Sequence, residues 1–182
     1  MMKRRAGFLL SFLLLTACGF SPIYGDHGAD EPAVTQALGG IYIESIPDQS
    51  GQFLRNKLMD RFYYQGRPAT PTSYLSVSVQ TTETDLGIQK DATATRSRMD
   101  MTAKYTLRDT NKKALVSGTA HSVASYSKLA AQYGTLATQR NANERALTEI
   151  SEQIANHISL YFAEHEPPAP KDSPSKPQPT AP

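Results

Sequence analysis

The stretch RMDMTAKYTLR at residues 98–108 decides the fold, because apolar and polar side chains alternate along its whole length. Side chains two residues apart lie on the same face of a β-strand. The stretch therefore predicts a strand with one buried face and one polar face. The buried face would carry Met99, Met101, Ala103, Tyr105 and Leu107, and the polar face Arg98, Asp100, Lys104 and Arg108.

Shorter runs with strand character lie on both sides of this stretch. Residues 74–83 alternate in the same way, with Leu75, Val77 and Val79 on one face. The residues Asp-Thr-Asn-Lys at 109–112 predict a hairpin turn, and residues 115–126 predict the strand that follows it. Residues 40–46 are rich in β-branched and aromatic side chains, so they predict a further strand, which ends at Pro47.

Two segments have a helical period instead. After Asp48, apolar side chains recur every four residues at Leu54, Leu58 and Phe62, and Gly66 marks the end of this helix. The second segment continues to the prolines at 167–168. Its apolar residues are Leu147, Ile150, Ile154, Ile158 and Phe162. Because Gly134 favours a break, we expect this helix to start near Thr138.

The predicted order is strand, helix, three strands and helix. Three consecutive strands with short links favour an antiparallel meander, and the two amphipathic helices can cover its apolar face. The predicted fold class is α+β, a two-layer sandwich with two helices packed on one face of a four-stranded, mostly antiparallel sheet. The other face of the sheet stays uncovered and polar, which is ordinary for antiparallel sheets.

The N-terminus has the pattern of an export signal. Basic residues at 3–5 precede a short apolar run at 7–15, and small residues follow, so residues 1–17 predict a signal peptide that is removed. The sequence Leu-Thr-Ala-Cys at 15–18 resembles a bacterial lipobox. Cys18 is the only cysteine, so it has no internal disulfide partner, and we expect it to be lipidated with acyl chains such as palmitate. Gly19 resembles the outer-membrane class of sorting signal.

The rest of the chain divides by composition. Residues 18–39 are rich in glycine, proline and small polar residues and predict a lipidated tether. Residues 40–165 predict a single domain, and the proline-rich residues 166–182 predict a disordered tail. The formal charge of +2 includes Lys3, Arg4 and Arg5, so it becomes −1 when the leader is removed. This balance argues against a nucleic-acid partner.

Signatures of catalysis, metal binding and cofactor binding are lacking in the sequence. The four histidines have no metal-ligand spacing and no cysteine remains to join them. We find neither a nucleophile elbow nor a phosphate-binding glycine loop. We therefore expect no enzyme activity, no catalytic or metal-binding residue and no cofactor.

A binding function has more support. Lys90, Arg96, Arg98 and Lys104 concentrate positive charge around one strand, where arginine side chains suit phosphate or carboxylate ligands. The alternative is a solvated polar face that Asp91 and Asp100 partly neutralise. A second open question is whether Tyr126 packs in the core or faces a partner.

Several stretches together resemble the LptE family of lipopolysaccharide (LPS)-assembly lipoproteins. These stretches are Cys-Gly-Phe at 18–20, the strand and helix at 41–62, Arg-Ser-Arg-Met-Asp-Met at 96–101, Ser-Tyr at 125–126 and the last helix. The resemblance implies two helices on a four-stranded sheet, in agreement with the pattern-based prediction. The proline-rich tail is not part of the family pattern.

The resemblance also implies a function and partners. Family members plug and help to fold LptD, an outer-membrane β-barrel, and the complex delivers LPS to the cell surface. They bind LPS directly, and the matching basic residues here are Arg96, Arg98 and Arg140. The resemblance thus implies a protein anchored in the outer membrane on its periplasmic side and within the barrel lumen. The alternative is a lipid-anchored periplasmic binding module or envelope structural protein without a barrel partner.

Overall fold

A computed structural model describes residues 30–64, 66–88, 94–128 and 131–165. These residues form three helices and four strands. In chain order the elements are α1 (Asp30–Gly39), β1 (Ile41–Ile43), α2 (Asp48–Phe62), β2 (Ser73–Ile88), β3 (Ala94–Asp109), β4 (Ala114–Ser127) and α3 (Gln132–Glu164). Cys18 and Lys90, the predicted signal peptide and the predicted tail lie outside the described residues.

The four strands form one sheet in the order β1-β2-β3-β4. β2, β3 and β4 are antiparallel neighbours, whereas β1 pairs with β2 in parallel. A parallel pair needs a long connection between its strands, and α2 provides it. The prediction of a mostly antiparallel sheet is confirmed, and so is the turn at 109–112, where β3 ends and β4 begins shortly after.

The alternation in β3 sorts its side chains as the sequence predicts. Met99, Met101, Ala103, Tyr105 and Leu107 are all buried in a single hydrophobic core. Leu75 and Val77 of β2 enter the same core, because the register pairs them with Leu107 and Tyr105. One face of the sheet therefore supplies one side of the core.

The helices supply the other side of the core. Leu54, Leu58 and Phe62 of α2 are buried, as are the inward residues of α3, among them Leu147, Ile150, Ile154 and Ile158. Burying a side chain of this size stabilises a protein by about 1.5–3 kcal/mol. The predicted fold class, α+β with two helices on one face of the sheet, is confirmed.

The last helix begins six residues earlier than the expected start near Thr138. α3 starts at Gln132, so Gly134 lies in its first turn. The backbone amides of a first helical turn have no intrahelical acceptor in any case. A glycine there costs less than it does in a helix interior, and the break predicted from Gly134 is wrong.

The first helix was not expected. α1 includes the last ten residues of the predicted tether, and its Ala37 is buried. The amide of Gly40 donates to the carbonyls of Gln36 and Ala37, which closes the helix just before β1. The described residues from Pro32 onward belong to one compact unit. None of the described helices has the length and apolar character to cross a membrane.

Two strand lengths also differ from the expectation. β1 is short because the chain turns after Ile43 towards Asp48. Asp48 has a φ of 68° and is the first residue of α2. β2 continues beyond residue 83 to Ile88, because it keeps its pairing with β3 as far as Ala94. Side chains 81–87 of β2 are exposed on both faces, although Met99 and Met101 of the paired strand are buried. We call this part of the β2–β3 hairpin the extended hairpin.

Gly118 of β4 marks a close approach between the sheet and α3. It lies opposite Tyr105, whose hydroxyl forms a 2.5 Å hydrogen bond with Nδ1 of His157. A Cβ atom added to Gly118 would lie 2.4 Å from that hydroxyl oxygen. The absence of a side chain at this position leaves room for the Tyr105 and His157 pair.

Candidate functional site

The uncovered face of the sheet carries the basic residues predicted on β3. Because the odd-numbered residues of β3 from 97 to 107 are buried, the even-numbered ones point away from the helices. Arg96, Arg98, Lys104 and Arg108 therefore lie along one strand of this face, and we call them the basic row. Asp100 is the single carboxylate among them, so the row has a net positive charge.

The strands beside the basic row carry hydrogen-bonding side chains, most of them hydroxyls. The register places Ser76, Ser78, Gln80, Thr82 and Thr84 of β2 on one side of the row, and Ser117, Thr119, His121 and Ser125 of β4 on the other. Among the described residues of β2 and β4, none that shares this face is acidic. Hydroxyl and amide groups next to guanidinium groups are suited to binding phosphate, carboxylate or sugar oxygens.

Arg98 is already engaged by an acidic neighbour. Its Nε and Nη2 donate to the two carboxylate oxygens of Asp100, at 3.0 and 2.8 Å. These hydrogen bonds raise the pKa of Arg98 above its usual value. His121 Nε2 lies 3.9 Å from the same carboxylate. Arg98 can therefore meet an outside anion only in competition with Asp100.

The other members of the basic row differ in the hydrogen bonds and ion pairs that their side chains form. Arg108 Nη1 donates to Ser76 Oγ at 2.9 Å. Arg96 and Lys104 are exposed, and neither forms an ion pair with a residue that the structure describes. Arg96 and Lys104 are thus the most available cations of this face.

Arg140 lies in the other layer of the fold. It is on α3, its side chain is 73% exposed, and its Nε donates to Glu144 at 2.9 Å. It borders a groove of about 560 Å³ between α2, α3 and the far end of the sheet, where Phe53 and Leu136 supply apolar surface. The structure therefore brings Arg96 and Arg98 together on one face and places Arg140 in the helical layer.

A polar cluster on the helix side of the extended hairpin was missed by sequence reasoning. Asp85 accepts hydrogen bonds from Ser97 Oγ and Lys128 Nζ, both at 2.5 Å. Together these two partners lower the pKa of Asp85, the Lys128 contact contributing most. The signal that could have found it is the two-residue spacing of Glu83 and Asp85, which puts both carboxylates on one face of β2.

Tyr126 belongs to the same cluster, which answers the question that the sequence left open. It is 6% exposed, and its hydroxyl donates to Glu83. Burial is the main cause that raises the pKa of Tyr126. Gln139 of α3 also donates to Glu83, at 3.3 Å. The cluster thus joins the extended hairpin to β4 and α3 on the side of the sheet opposite the basic row.

Metal-ligand geometry is not found in the part of the chain that the structure describes. No group of three or more histidine, cysteine, aspartate or glutamate side chains lies close enough to hold a metal ion there.

The fold and its uncovered face define a two-layer α+β protein that presents one basic, hydroxyl-rich sheet face.

A family match and one similar solved structure agree with this class. The model of the LptE lipopolysaccharide-assembly family matches residues 38–160. A lipoprotein from Caulobacter crescentus has a similar structure, with a TM-score of 0.61 and 20% identity, over 74% of this chain and 98% of that one. Lipoprotein B from Nitrosomonas europaea gives a TM-score of 0.49 and 14% identity, over 69% and 88%. A search of curated proteins finds no matching sequence.

Because the family match spans most of the chain, this protein belongs to the LptE family of lipopolysaccharide-assembly lipoproteins. The resemblance expected from the sequence is confirmed. The similarity to the Caulobacter structure supports the same fold independently.

Proposed function

We propose that this protein is an outer-membrane lipoprotein that plugs an LptD-type β-barrel, assists its assembly and binds LPS during transport to the cell surface. Family membership over residues 38–160 carries this proposal. The family is a non-enzymatic one, in keeping with a role in holding and assembling rather than in catalysis. The acyl anchor on Cys18 would keep the domain at the inner side of the outer membrane.

The surface of the fold suits a position inside a barrel. The lumen of a membrane β-barrel is polar. The uncovered sheet face offers hydroxyl, amide and basic side chains. The outer surface of α3 is mixed, since it exposes Arg140 and Glu152 together with the apolar Leu136 and Leu160. Each side of the sandwich therefore offers polar groups that a polar wall can pair with, and Arg96 and Lys104 would need acceptors from that wall.

The basic row suits LPS binding. The lipid A part of LPS carries phosphate groups, and arginine side chains bind phosphate through two parallel hydrogen bonds. Arg96 has no ion-pair partner among the described residues, so it can approach such a group directly. We place the phosphate contacts at Arg96 and Arg98, with Lys104 beside them on the same strand.

The experiment that tests the barrel partner is isolation of the tagged protein from outer membranes in mild detergent. We expect the LptD-type barrel to co-purify in near-equal amount, and we expect the barrel to misassemble in cells that lack this protein. A protein recovered alone from membranes in which the barrel assembles normally would favour a lipid-anchored periplasmic module instead.

The anchor is tested separately by mass measurement of the native product. We expect residues 1–17 to be absent and Cys18 to carry the added mass of acyl chains. The matched variant Cys18→Ser should keep its fold and be recovered in the soluble periplasmic fraction. An unmodified cysteine or an uncut leader in the native protein would contradict the proposed anchor.

A further inference from the structure

The two edge strands of the sheet, β1 and β4, differ in how their outward backbone groups are hydrogen-bonded. At the β1 edge, side chains of this chain satisfy the backbone. The hydroxyl of Tyr63 donates to the carbonyl of Ile41 at 2.9 Å, and Nε of Arg55 donates to the carbonyl of Ile43 at 3.2 Å. β1 is therefore closed to a further strand. Beyond Leu75, β2 has no described strand on this side, and its charged residues Glu83 and Asp85 disfavour pairing with another chain there.

The β4 edge is largely open. The backbone amide and carbonyl of His121 bond to the side-chain amide of Gln153, at 3.1 and 2.9 Å, and so point away from β3. In an antiparallel pair every second residue points outward in this way. Outward-pointing backbone amides and carbonyls are therefore also expected at the other odd-numbered residues Ser117, Thr119, Val123 and Ser125. Within the described residues, no strand pairs with β4 on this side.

The composition of β4 makes this edge unusual. Its fourteen residues, ALVSGTAHSVASYS, include no aspartate, glutamate, lysine, arginine or proline. Natural edge strands are protected from pairing with other chains by such residues, by bulges or by a covering segment. Within the described residues, Gln153 covers His121, and Thr138 donates to the carbonyl of Ser127 at 2.8 Å. A register shift in the β3–β4 pairing at Leu107/Arg108 adds an irregularity near the start of β4.

The Gln153 contact shows what this edge accepts. Its amide donates to the His121 carbonyl and accepts from the His121 amide, which is the pair of bonds that a residue of an added strand would make. A partner strand can replace this side chain without leaving the backbone of His121 unpaired.

We infer that the free edge of β4 receives an extended segment of a protein partner as a fifth strand, with carboxylate side chains on the side that faces the basic row. This inference rests on the proposed function, because the barrel partner is the protein expected to supply the segment. Main-chain hydrogen bonds give affinity in this mode of recognition, and alternate side chains give specificity.

The positive charge of the basic row favours a partner strand with acidic side chains. Lys104 pairs with Thr119, so a fifth strand would lie about 10 Å from Lys104, at two strand spacings. A glutamate or aspartate side chain on that strand can bridge much of this distance towards the lysine. Lys104 is exposed and has no ion pair with a described residue.

A second copy of this chain is a poorer occupant. Antiparallel pairing of two β4 edges would join two sheets that both carry a net positive row, with no acidic strand between them. It would also place the Gln153 side chains of both copies between the two paired β4 strands. The proposal is therefore a partner of different sequence.

The test is a proline pair at the open edge. The amides of Val123 and Ser125 point outward, so the double variant V123P/S125P removes donors that β3 does not use, as edge prolines do. We expect at least a tenfold loss of co-purifying barrel, with an unchanged melting temperature of the free protein. The matched control V123T/S125T keeps both amides and should retain the barrel.

Three outcomes separate this inference from the proposed function. Loss of the barrel with the prolines alone supports both. Retention of the barrel by the folded proline variant overturns the edge inference and leaves the proposed function standing. Absence of the barrel even with the unchanged protein overturns both.

Photo-crosslinking decides the matter if the proline variant fails to fold. A benzophenone side chain at Thr119 or Ser125 should form an adduct with the barrel, and the crosslinked peptide should contain acidic residues at alternate positions. Adducts with a second copy, or adducts with the barrel only from the control position Thr102, which β2 and β4 flank on both sides, would overturn the inference.

Discussion

Arg98 binds both carboxylate oxygens of Asp100, at 3.0 and 2.8 Å, although the two residues are only two positions apart on the same face of β3. The pair makes Asp100 an internal competitor for any anion that approaches Arg98. Any anion affinity of the basic row would therefore depend on Asp100 as well as on the arginines.

Asp100→Asn should strengthen LPS binding. Loss of one carboxylate at contact distance changes a surface interaction by about 1 kcal/mol, which corresponds to about fivefold in affinity. The measurement is LPS binding by the purified domain at low salt. Asp60→Asn on α2 changes the net charge equally but lies in the helical layer, and it should leave the affinity unchanged. Equal gains in the two variants would mean that net charge alone controls binding.

Arg96→Glu combined with Arg98→Glu should weaken LPS binding by about tenfold or more, because two attractive contacts become repulsive. The far-ultraviolet circular dichroism spectrum should not change, since both side chains are exposed. Arg140→Glu is the informative comparison, because Arg140 lies in the helical layer. We expect it to change the affinity less than twofold. The reverse order of effects would move the LPS site to the groove beside α3.

Gly118→Ala should destabilise the fold by about 1–3 kcal/mol, the usual cost of overpacking. The added methyl group would lie 2.4 Å from the Tyr105 hydroxyl oxygen and 3.2 Å from Nδ1 of His157. Urea denaturation followed by circular dichroism measures the effect. Ser117→Ala, one residue away and exposed, should change stability little. Adding Tyr105→Phe should restore part of the loss, because it removes the nearest clashing atom and leaves Cζ, at 2.7 Å.

Lys128→Met should raise the pKa of the Asp85 carboxyl towards its usual 3.8, because it removes the hydrogen bond that lowers the pKa most. A carboxylate with a lowered pKa stabilises the folded state above its unfolded pKa, and the contribution is lost as pH falls through the folded pKa. The variant should therefore lose part of the stability difference between pH 7 and pH 3. Titration of the Asp85 carboxyl by nuclear magnetic resonance gives the pKa directly.

The matched control for this prediction is Lys113→Met, which removes a lysine in the turn before β4. We expect the Asp85 titration to keep its midpoint in that variant. A midpoint that is the same in the unchanged protein and in Lys128→Met would mean that Ser97 alone lowers the pKa.

The sequence predicted the basic row because a strand has a period of two. Once the odd positions 99–107 are assigned to the core, the even positions have to point outward, and Arg98, Lys104 and Arg108 follow. The same reasoning could not place Arg140 relative to this face, since its position depends on how α3 packs against the sheet.

Long-range contacts explain what the sequence did not reveal. Glu83, Asp85, Ser97 and Tyr126 come from three strands, and only the register of the sheet makes them neighbours. The helix α1 has a weak apolar pattern, so its composition alone suggested a tether. Ala37 of this helix is buried, so the helix packs against the rest of the domain.

The sequence by itself determined the layers of this protein and which face of the sheet is basic, because hydrophobic periodicity is a local property that a strand or helix must satisfy wherever it lies. Only the tertiary structure decided which charges meet, which arginine is held by Asp100 and which sheet edge is left open. Those features depend on register and helix packing, which join residues far apart in the chain.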